Sequence, residues 1–365
     1  MDKPIRILHV FNSLNQGGIQ NLIINVYRKI DKNKIQFDFL MNEDGYFDDE
    51  IKALGGRVYK IPALNKVGQL KYTKELTNFF NEHKEYKIVH SHYNQISGII
   101  LEIAKKCNIP IRIAHSHASN NINNIVTKLY KLYLQSKIKK NATHFFACSR
   151  KAGEWLFKSK ADNMVIINNG INMEDFFYSG EKRKKIRKEL NINDDTMVIG
   201  HVGRFSKVKN HDFLVEIFNE YQKVNSNSIL LLVGTGQLEC NIREKVKKLN
   251  LNDKVKFLGV RKDTDYLYSA FDCFVFPSLY EGLGITLIEA QASGLKTITS
   301  ANDIPIETKI TDLIEYINLN EVPEKWAERI SINSNREEIN NDLINSNFNI
   351  KNTVEQLEKF YEEVI

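Results

Sequence analysis

The residues best suited to chemistry lie between Phe276 and Ala290, in the run FPSLYEGLGITLIEA. An apolar strand pattern stops at Pro277, and a glycine-spaced loop opens a helix near Gly284. The unpaired N–H groups of such a helix start can hold phosphate oxygens. Gly282, Leu283, Gly284 and Ile285 are therefore candidate anion contacts through their backbone. Glu281 stands in the loop before the turn, and Glu289 lies about one and a half turns inside the helix. Two carboxylates flanking a phosphate-binding turn suit two sets of hydroxyls: a sugar on the reactive side and a ribose behind. A plain helix-surface role for Glu289 fits poorly, since Leu287, Ile288 and Ala290 read as buried.

Two further loops carry ligand chemistry. Gly203-Arg204-Phe205-Ser206-Lys207-Val208-Lys209-Asn210 follows an apolar strand pattern and places three cations within six residues. Arginine offers a bidentate fork and lysine a mobile point charge, which together make a diphosphate clamp. The bland alternative is a solvated basic loop. Near the start of the chain, Gly17-Gly18 precedes a helical pattern and suits close approach of backbone N–H groups to an anion or sugar. The alternative there is a tight strand-to-helix turn. The pair lacks the full GxGxxG spacing, which argues against a nicotinamide or flavin site.

Histidines end two consecutive strand patterns, as His90-Ser91-His92 and His115-Ser116-His117. Four imidazoles could hold a metal, and some of them could equally be satisfied structural residues. The stretch Asn124–Asn141 interleaves Lys128, Lys131, Lys137, Lys139 and Lys140 with Leu and Tyr. Such a helix can lie on an anionic membrane surface or simply present a solvated lysine face.

These loops need rigid elements behind them. In the first half, strand patterns at 5–11, 35–40, 58–61, 87–92, 111–116, 143–149 and 164–168 alternate with amphipathic stretches at 19–30, 72–83, 96–106 and 124–139. The grammar restarts at 197–203, 228–234, 254–259, 273–278 and 296–301. Strands alternating with helices imply βαβ units and parallel sheets, and two such runs imply two doubly wound domains. The expected organisation is a first domain at 1–170, a charged linker at 171–195, a second domain at 196–345 and a closing helix at 346–365 that can pack back on the first domain. Ligands should then meet the carboxyl ends of the strands.

Bulk properties agree with a chain of two cores. At 365 residues, 42% apolar and 26% charged, it is too long for one typical domain. Its net charge of +6 is uneven: residues 1–180 hold 26 Lys and Arg against 16 Asp and Glu, the remainder 25 against 29. A basic first half suggests an anionic partner surface on one domain only. Four dispersed cysteines, with no CxxC pair, suit a reducing cytoplasm. No signal peptide or membrane-spanning run is read from the sequence, so a cytoplasmic protein is expected, with contact at the inner face of the membrane through 124–141. Nucleic acid is not an expected partner.

Glu281 and Glu289 are separated by seven residues, and this segment resembles the EX7E signature of the retaining family-4 glycosyltransferases, which adopt the GT-B fold. IINNGINMEDF (166–176), HVGRFSKVKNHDFLVE, LLLVGTGQLE and FLGVRKDTDYLYSAFDCFVFPSLYEGLGITLIEAQASG also resemble that family. The resemblance implies an α/β GT-B protein: two Rossmann-like domains facing each other across a cleft, the acceptor on the first and the nucleotide-sugar donor on the second. It implies that Arg204 and Lys209 neutralise the donor diphosphate, that Glu281 contacts the donor sugar and that Glu289 contacts the ribose. Gly203, Gly234, Val260 and Arg261 would line the nucleotide, Gly17 and Gly18 would close the site, and His117 would match the family's active-site histidine. Uridine is the expected base, and no metal or other cofactor is expected, since enzymes of this fold neutralise phosphate with Arg, Lys and helix dipoles. Asn302-Asp303-Ile304-Pro305 departs from the common pattern and resembles a subgroup from bacterial capsule and exopolysaccharide clusters, with a glycan or lipid-linked acceptor. Two rivals are an epimerase of the same fold, which turns over donor without acceptor, and a silent nucleotide-sugar-binding partner subunit, which should lack part of the clamp.

Overall fold

The computed structural model describes residues 4–15, 18–117, 125–302, 304–333, 335–336, 343 and 346–365, with backbone alone for 125–128. The chain divides into two compact units, Met1–Ile171 with Ile350–Ile365, and Asn172–Asn349.

Unit 1 is built on β1 (Ile5–Val10), β2 (Ile35–Met41), β3 (Val58–Lys60), β4 (Ile88–Ser91), β5 (Ile111–Ser116), β6 (His144–Ala147) and β7 (Met164–Ile166). They form one parallel sheet in the order β3-β2-β1-β4-β5-β6-β7. Between them run α1 (Gly18–Lys29), α2 (Asp48–Ala53), α3 (Leu64–Glu82, broken at Gly68), α4 (Ser97–Lys106), α5 (Ile125–Asn141) and α6 (Arg150–Phe157). Helices cover both faces, so each face has its own apolar core. That is why these strands read as apolar runs rather than alternating ones.

Unit 2 repeats the plan. It contains α7 (Met173–Phe176), α8 (Gly180–Glu189), β8 (Met197–Val202), α9 (His211–Val224), β9 (Ser228–Val233), α10 (Glu239–Lys248), β10 (Val255–Gly259), α11 (Thr264–Ala270), β11 (Cys273–Phe276), α12 (Ile285–Ala292), β12 (Lys296–Ser300), β13 (Ile314–Ile317) and α13 (Pro323–Ala327). The parallel order is β10-β9-β8-β11-β12-β13. Each of the twelve strand patterns in the sequence forms a strand; β13, α2, α6 and α13 were not anticipated.

The segment expected as a linker, 171–195, supplies α7 and α8 of unit 2. Arg187 of α8 is buried and donates to Asp272 Oδ2 at 2.6 Å and to the carbonyls of Asn193, Asp194 and Thr196 at 2.9–3.0 Å. The chain then returns to unit 1 as α14 (Ile350–Glu363), which sends Ile350, Val354, Leu357 and Tyr361 into the core beneath β1 and β2.

Candidate active site

In both sheets the strand order reverses beside the first strand of the unit, between β1 and β4 and between β8 and β11, which is where open α/β sheets bind ligands. In unit 2 the loops at that point are the clamp loop and the glutamate loop. Backbone bonds tie the carboxyl ends together: Gly203 N donates to Val233 O at 2.9 Å, Phe205 N to Thr235 O at 3.1 Å, and Gly234 N to Gly259 O at 2.8 Å. Across the switch point, Leu279 N donates to Val208 O at 2.8 Å. Phe205 is fully buried and stacks on His211 at 4.2 Å, which anchors the clamp loop from below.

Gly234 is required where it stands. Its φ is +129°, and a Cβ there would lie 2.3 Å from the Gly203 carbonyl oxygen. Gly234→Ala is expected to cost about 2 kcal/mol or more and to displace the clamp loop. Thermal unfolding checks the cost, and an unchanged melting temperature would contradict the close approach.

Lys209 and Glu281 meet. Lys209 Nζ lies 2.7 Å from Glu281 Oε1 and 4.5 Å from the centre of the Phe276 ring. Both side chains are largely buried, 19% and 13% exposed, so the pair is a fixed part of the site. Arg204 sits five residues earlier on the same loop and is exposed, and among the described residues no carboxylate pairs with it. Gly284 adopts φ +83°, and no side chain caps the α12 amino end that it begins. Gly282 and Leu283 precede it and Ile285 opens the helix. A lysine from the clamp loop therefore meets a carboxylate on the loop that opens an uncapped helix, an arrangement that can hold an anionic group with a hydroxyl beside it.

Glu289 accepts from the Tyr268 hydroxyl at 2.7 Å. The residue keeps some exposed surface, but protein surrounds its carboxyl, and desolvation pushes its pKa up to about 7, with the Tyr268 bond opposing the shift. The native state thus holds a proton that the unfolded chain releases near pH 4.5. Stability falls as pH rises from 4.5 to 7 and is flat above, by at most about 3 kcal/mol. Glu289→Gln is expected to raise the melting temperature of unit 2 at pH 8 and to change it little at pH 4.5. Equal effects at both values would place the carboxyl in water.

Val260 and Arg261 follow β10. Val260 is 60% exposed, and Arg261 is held by Glu189 at 2.6 Å and Asp263 at 2.7 Å. The structure therefore keeps Val260 open on the strand-end rim and commits the guanidinium of Arg261 to two carboxylates.

Of the unit 1 candidates, Gly17 lies outside the described residues. Gly18 begins α1, and nothing lies within 4 Å of where its Cβ would be. His117 follows β5 and is 8% exposed. Its Nε2 lies 2.9 Å from His92 Nδ1, and its own Nδ1 has no partner among the described residues. Burial pushes its pKa down to about 3, so it is neutral. His9, His90, His92 and His115 crowd around it, and the ring nitrogens of His9, His90 and His92, and of His92, His115 and His117, lie within 4.8 Å of one another.

Sequence reasoning missed Ser278 and Thr286, whose buried hydroxyl oxygens have no partner among the described residues beside the α12 amino end. A hydroxyl two residues into a helix that follows a glycine turn was the available signal. It also missed His9, which looked like an ordinary position in an apolar strand.

The fold and these loops define a GT-B glycosyltransferase architecture. The description "Glycosyltransferase Family 4" matches residues 16–175 and "Glycosyl transferases group 1" matches residues 182–349. The chain is 35% identical over 333 residues to a Bacillus subtilis protein named as the glycosyltransferase EpsF, covering 89% of this chain and 87% of that one. It is 24% identical over 385 residues to the Escherichia coli UDP-Gal:alpha-D-GlcNAc-diphosphoundecaprenol alpha-1,3-galactosyltransferase, covering 99% and 97%. Anabaena HepE, solved with UDP and glucose, superposes with a TM-score of 0.77 at 17% identity, covering 98% and 99%. The chain belongs to the family-4-type glycosyltransferases of GT-B fold.

Proposed function

We propose that the chain transfers a sugar from a UDP-sugar to a hydroxyl of a lipid-linked glycan, with retention at the anomeric carbon, during bacterial capsule or exopolysaccharide assembly. One observation carries the donor reading: at the switch point of unit 2, Lys209 of the clamp loop meets Glu281 of the loop that opens the uncapped start of α12. Arg204 and Lys209 neutralise the charge that grows on the leaving diphosphate, and the N–H groups near Gly284 share that load, which is electrostatic preorganisation. Glu281 orients the sugar, Glu289 accepts from the ribose hydroxyls, and Val260 packs against the base. No metal is needed for this, so chelators should leave the rate unchanged. The seven-residue spacing of the glutamates supports retention, and the name of the E. coli relative supports uridine and a polyprenyl diphosphate acceptor.

Unit 1 is suited to the acceptor. Leu129, Tyr130, Leu132 and Tyr133 of α5 are all exposed, as is Leu70 of α3 at 89%. Tyr130 donates to Gln69 at 3.2 Å, which joins the two helices beside a cavity of about 440 Å³ that also meets Leu64, Tyr93 and Ile96. No helix among the described residues is long and apolar enough to cross a membrane. Apolar side chains with Lys131, Lys139 and Lys140 on one helix suit contact with an anionic lipid surface at the inner face of the membrane; Asn124 and the side chain of Lys128, part of the same expected stretch, lie outside the described residues.

The test is release of UDP from a panel of UDP-sugars with and without a synthetic sugar-diphosphate-lipid. Transfer that depends on the acceptor, with the anomeric configuration kept, is expected. UDP binding with no transfer to any acceptor would make the chain a silent partner subunit, and turnover of donor alone an epimerase.

A further inference from the structure

Register brings five histidines to one face at the carboxyl ends of three adjacent strands. His9 of β1 is opposite His90 of β4, and β4 pairs in parallel with β5, so that residues two apart, His90 and His92, His115 and His117, stay on that face. They form two hydrogen-bonded rows. In one, His9 Nδ1 lies 3.0 Å from His92 Nε2, and His92 Nδ1 lies 2.9 Å from His117 Nε2. In the other, the Tyr361 hydroxyl lies 2.7 Å from His90 Nδ1, and His90 Nε2 lies 3.1 Å from His115 Nδ1. The rows stack on each other, with ring centres 4.3 Å apart at His90–His92 and 3.9 Å at His115–His117.

A neutral imidazole carries one N–H, so a row of three must run in one direction. Running from His9 toward His117 fills both contacts, leaves the His9 Nε2 lone pair beside Phe37 and Phe39, and puts the last proton on His117 Nδ1. The reverse run puts the last N–H on His9 Nε2. Neither end atom has a partner among the described residues, but His9 is fully enclosed, whereas His117 is 8% exposed and ends the strand, where a ligand oxygen can serve as acceptor. A buried N–H without an acceptor is the rarer defect. Burial lowers the pKa of all five rings, which rules out a second proton as the way to satisfy both ends.

We propose that His9 and His92 are positioning residues that lock His117 in the neutral Nδ1–H form, so that it presents a hydrogen-bond donor to a substrate oxygen at the strand end of unit 1. This rests on the reading of His117 as a substrate contact and deepens it. The ring nitrogens of each row pair at hydrogen-bond distances; they also lie close enough to converge on one cation, so metal retention is an outcome that the experiment must exclude.

The experiment is imidazole 15N NMR of the full chain, with the His117 signals assigned by their loss in His117→Gln. The expected result is a pyrrole-like Nδ1 and a pyridine-like Nε2, opposite to the tautomer favoured by free histidine. A protonated Nε2 would overturn the proposal. So would one equivalent of zinc retained through dialysis with metal-shifted His117 nitrogens. In assays, His92→Leu is expected to lower kcat/KM about 10–100-fold, and His92→Asn, whose amide can occupy the Nδ1 position, to restore most of it. A His92→Asn variant as impaired as His92→Leu would also count against the row. Full activity in His117→Ala would sink the substrate contact while leaving the NMR result standing, so the two claims fail separately.

Discussion

Lys209→Ala is expected to lower kcat by about 10²–10³-fold, the loss seen when one preorganised donor to a developing charge is removed. The ammonium lies on a loop fixed from three directions, by Phe205 below, by the Val208–Leu279 backbone bond and by Glu281 alongside. It can therefore meet a phosphate without reorganising. The substitution also leaves Glu281 without its lysine, so part of the effect could come from a displaced carboxylate. Lys209→Ala combined with Glu281→Gln separates the two causes: losses that add assign the Lys209 effect to its charge, and a double variant no worse than Lys209→Ala assigns it to the displaced carboxylate. Wild-type kcat in Lys209→Ala, at saturating donor, would remove the clamp from the mechanism.

The second large effect is acid sensitivity of unit 1. His9, His90, His92, His115 and His117 all have pKa values pushed down by burial, to about 3 for His9 and His117. Unfolded histidine titrates near 6.5, so below that value the unfolded chain takes up protons that the native unit refuses. The stability conferred by the neutral cluster is complete above pH 6.5 and falls with pH, by about 1.4 kcal/mol per pH unit for each ring. The two rings held near pKa 3, His9 and His117, alone remove about 5 kcal/mol between pH 6.5 and 4.5, the low end of a typical domain stability of about 5–15 kcal/mol, and the other three act in the same direction. Unit 1 is expected to unfold cooperatively between about pH 6 and pH 4.5. Trp155 belongs to unit 1 and Trp326 to unit 2, so fluorescence of Trp326→Phe reports unit 1 alone. Native Trp155 emission at pH 4 would contradict the prediction.

Much of this was legible from residue order. Parallel strands covered on both faces carry unbroken apolar runs, and that signal located twelve strands. The thirteenth, IEYI in β13, lies at the sheet edge, where three of its four residues are only partly buried, and its pattern is too weak to stand out. The stretch 171–195 looked like a linker because it is rich in charge, yet the charge of Arg187 points inward and is satisfied by backbone carbonyls and Asp272. Side-chain direction of that kind depends on tertiary partners and leaves no periodic trace. The clamp and glutamate loops were visible because glycine spacing and charge sit together in the chain. The imidazole rows were half visible, as two His-Ser-His ends; His9 joins them only through strand register, which composition does not encode.

The return of α14 to the first unit has a consequence for synthesis. Ile350, Val354, Leu357 and Tyr361 complete the core that β1 and β2 begin, yet they leave the ribosome after all of unit 2. Domains commonly fold in order of emergence, but here the earlier unit must wait, its histidine rows lacking Tyr361, until the later one has been made. A fragment cut after residue 171 would therefore be an unfinished half, and separate expression of the first unit calls for the 350–365 segment to be supplied or spliced back on.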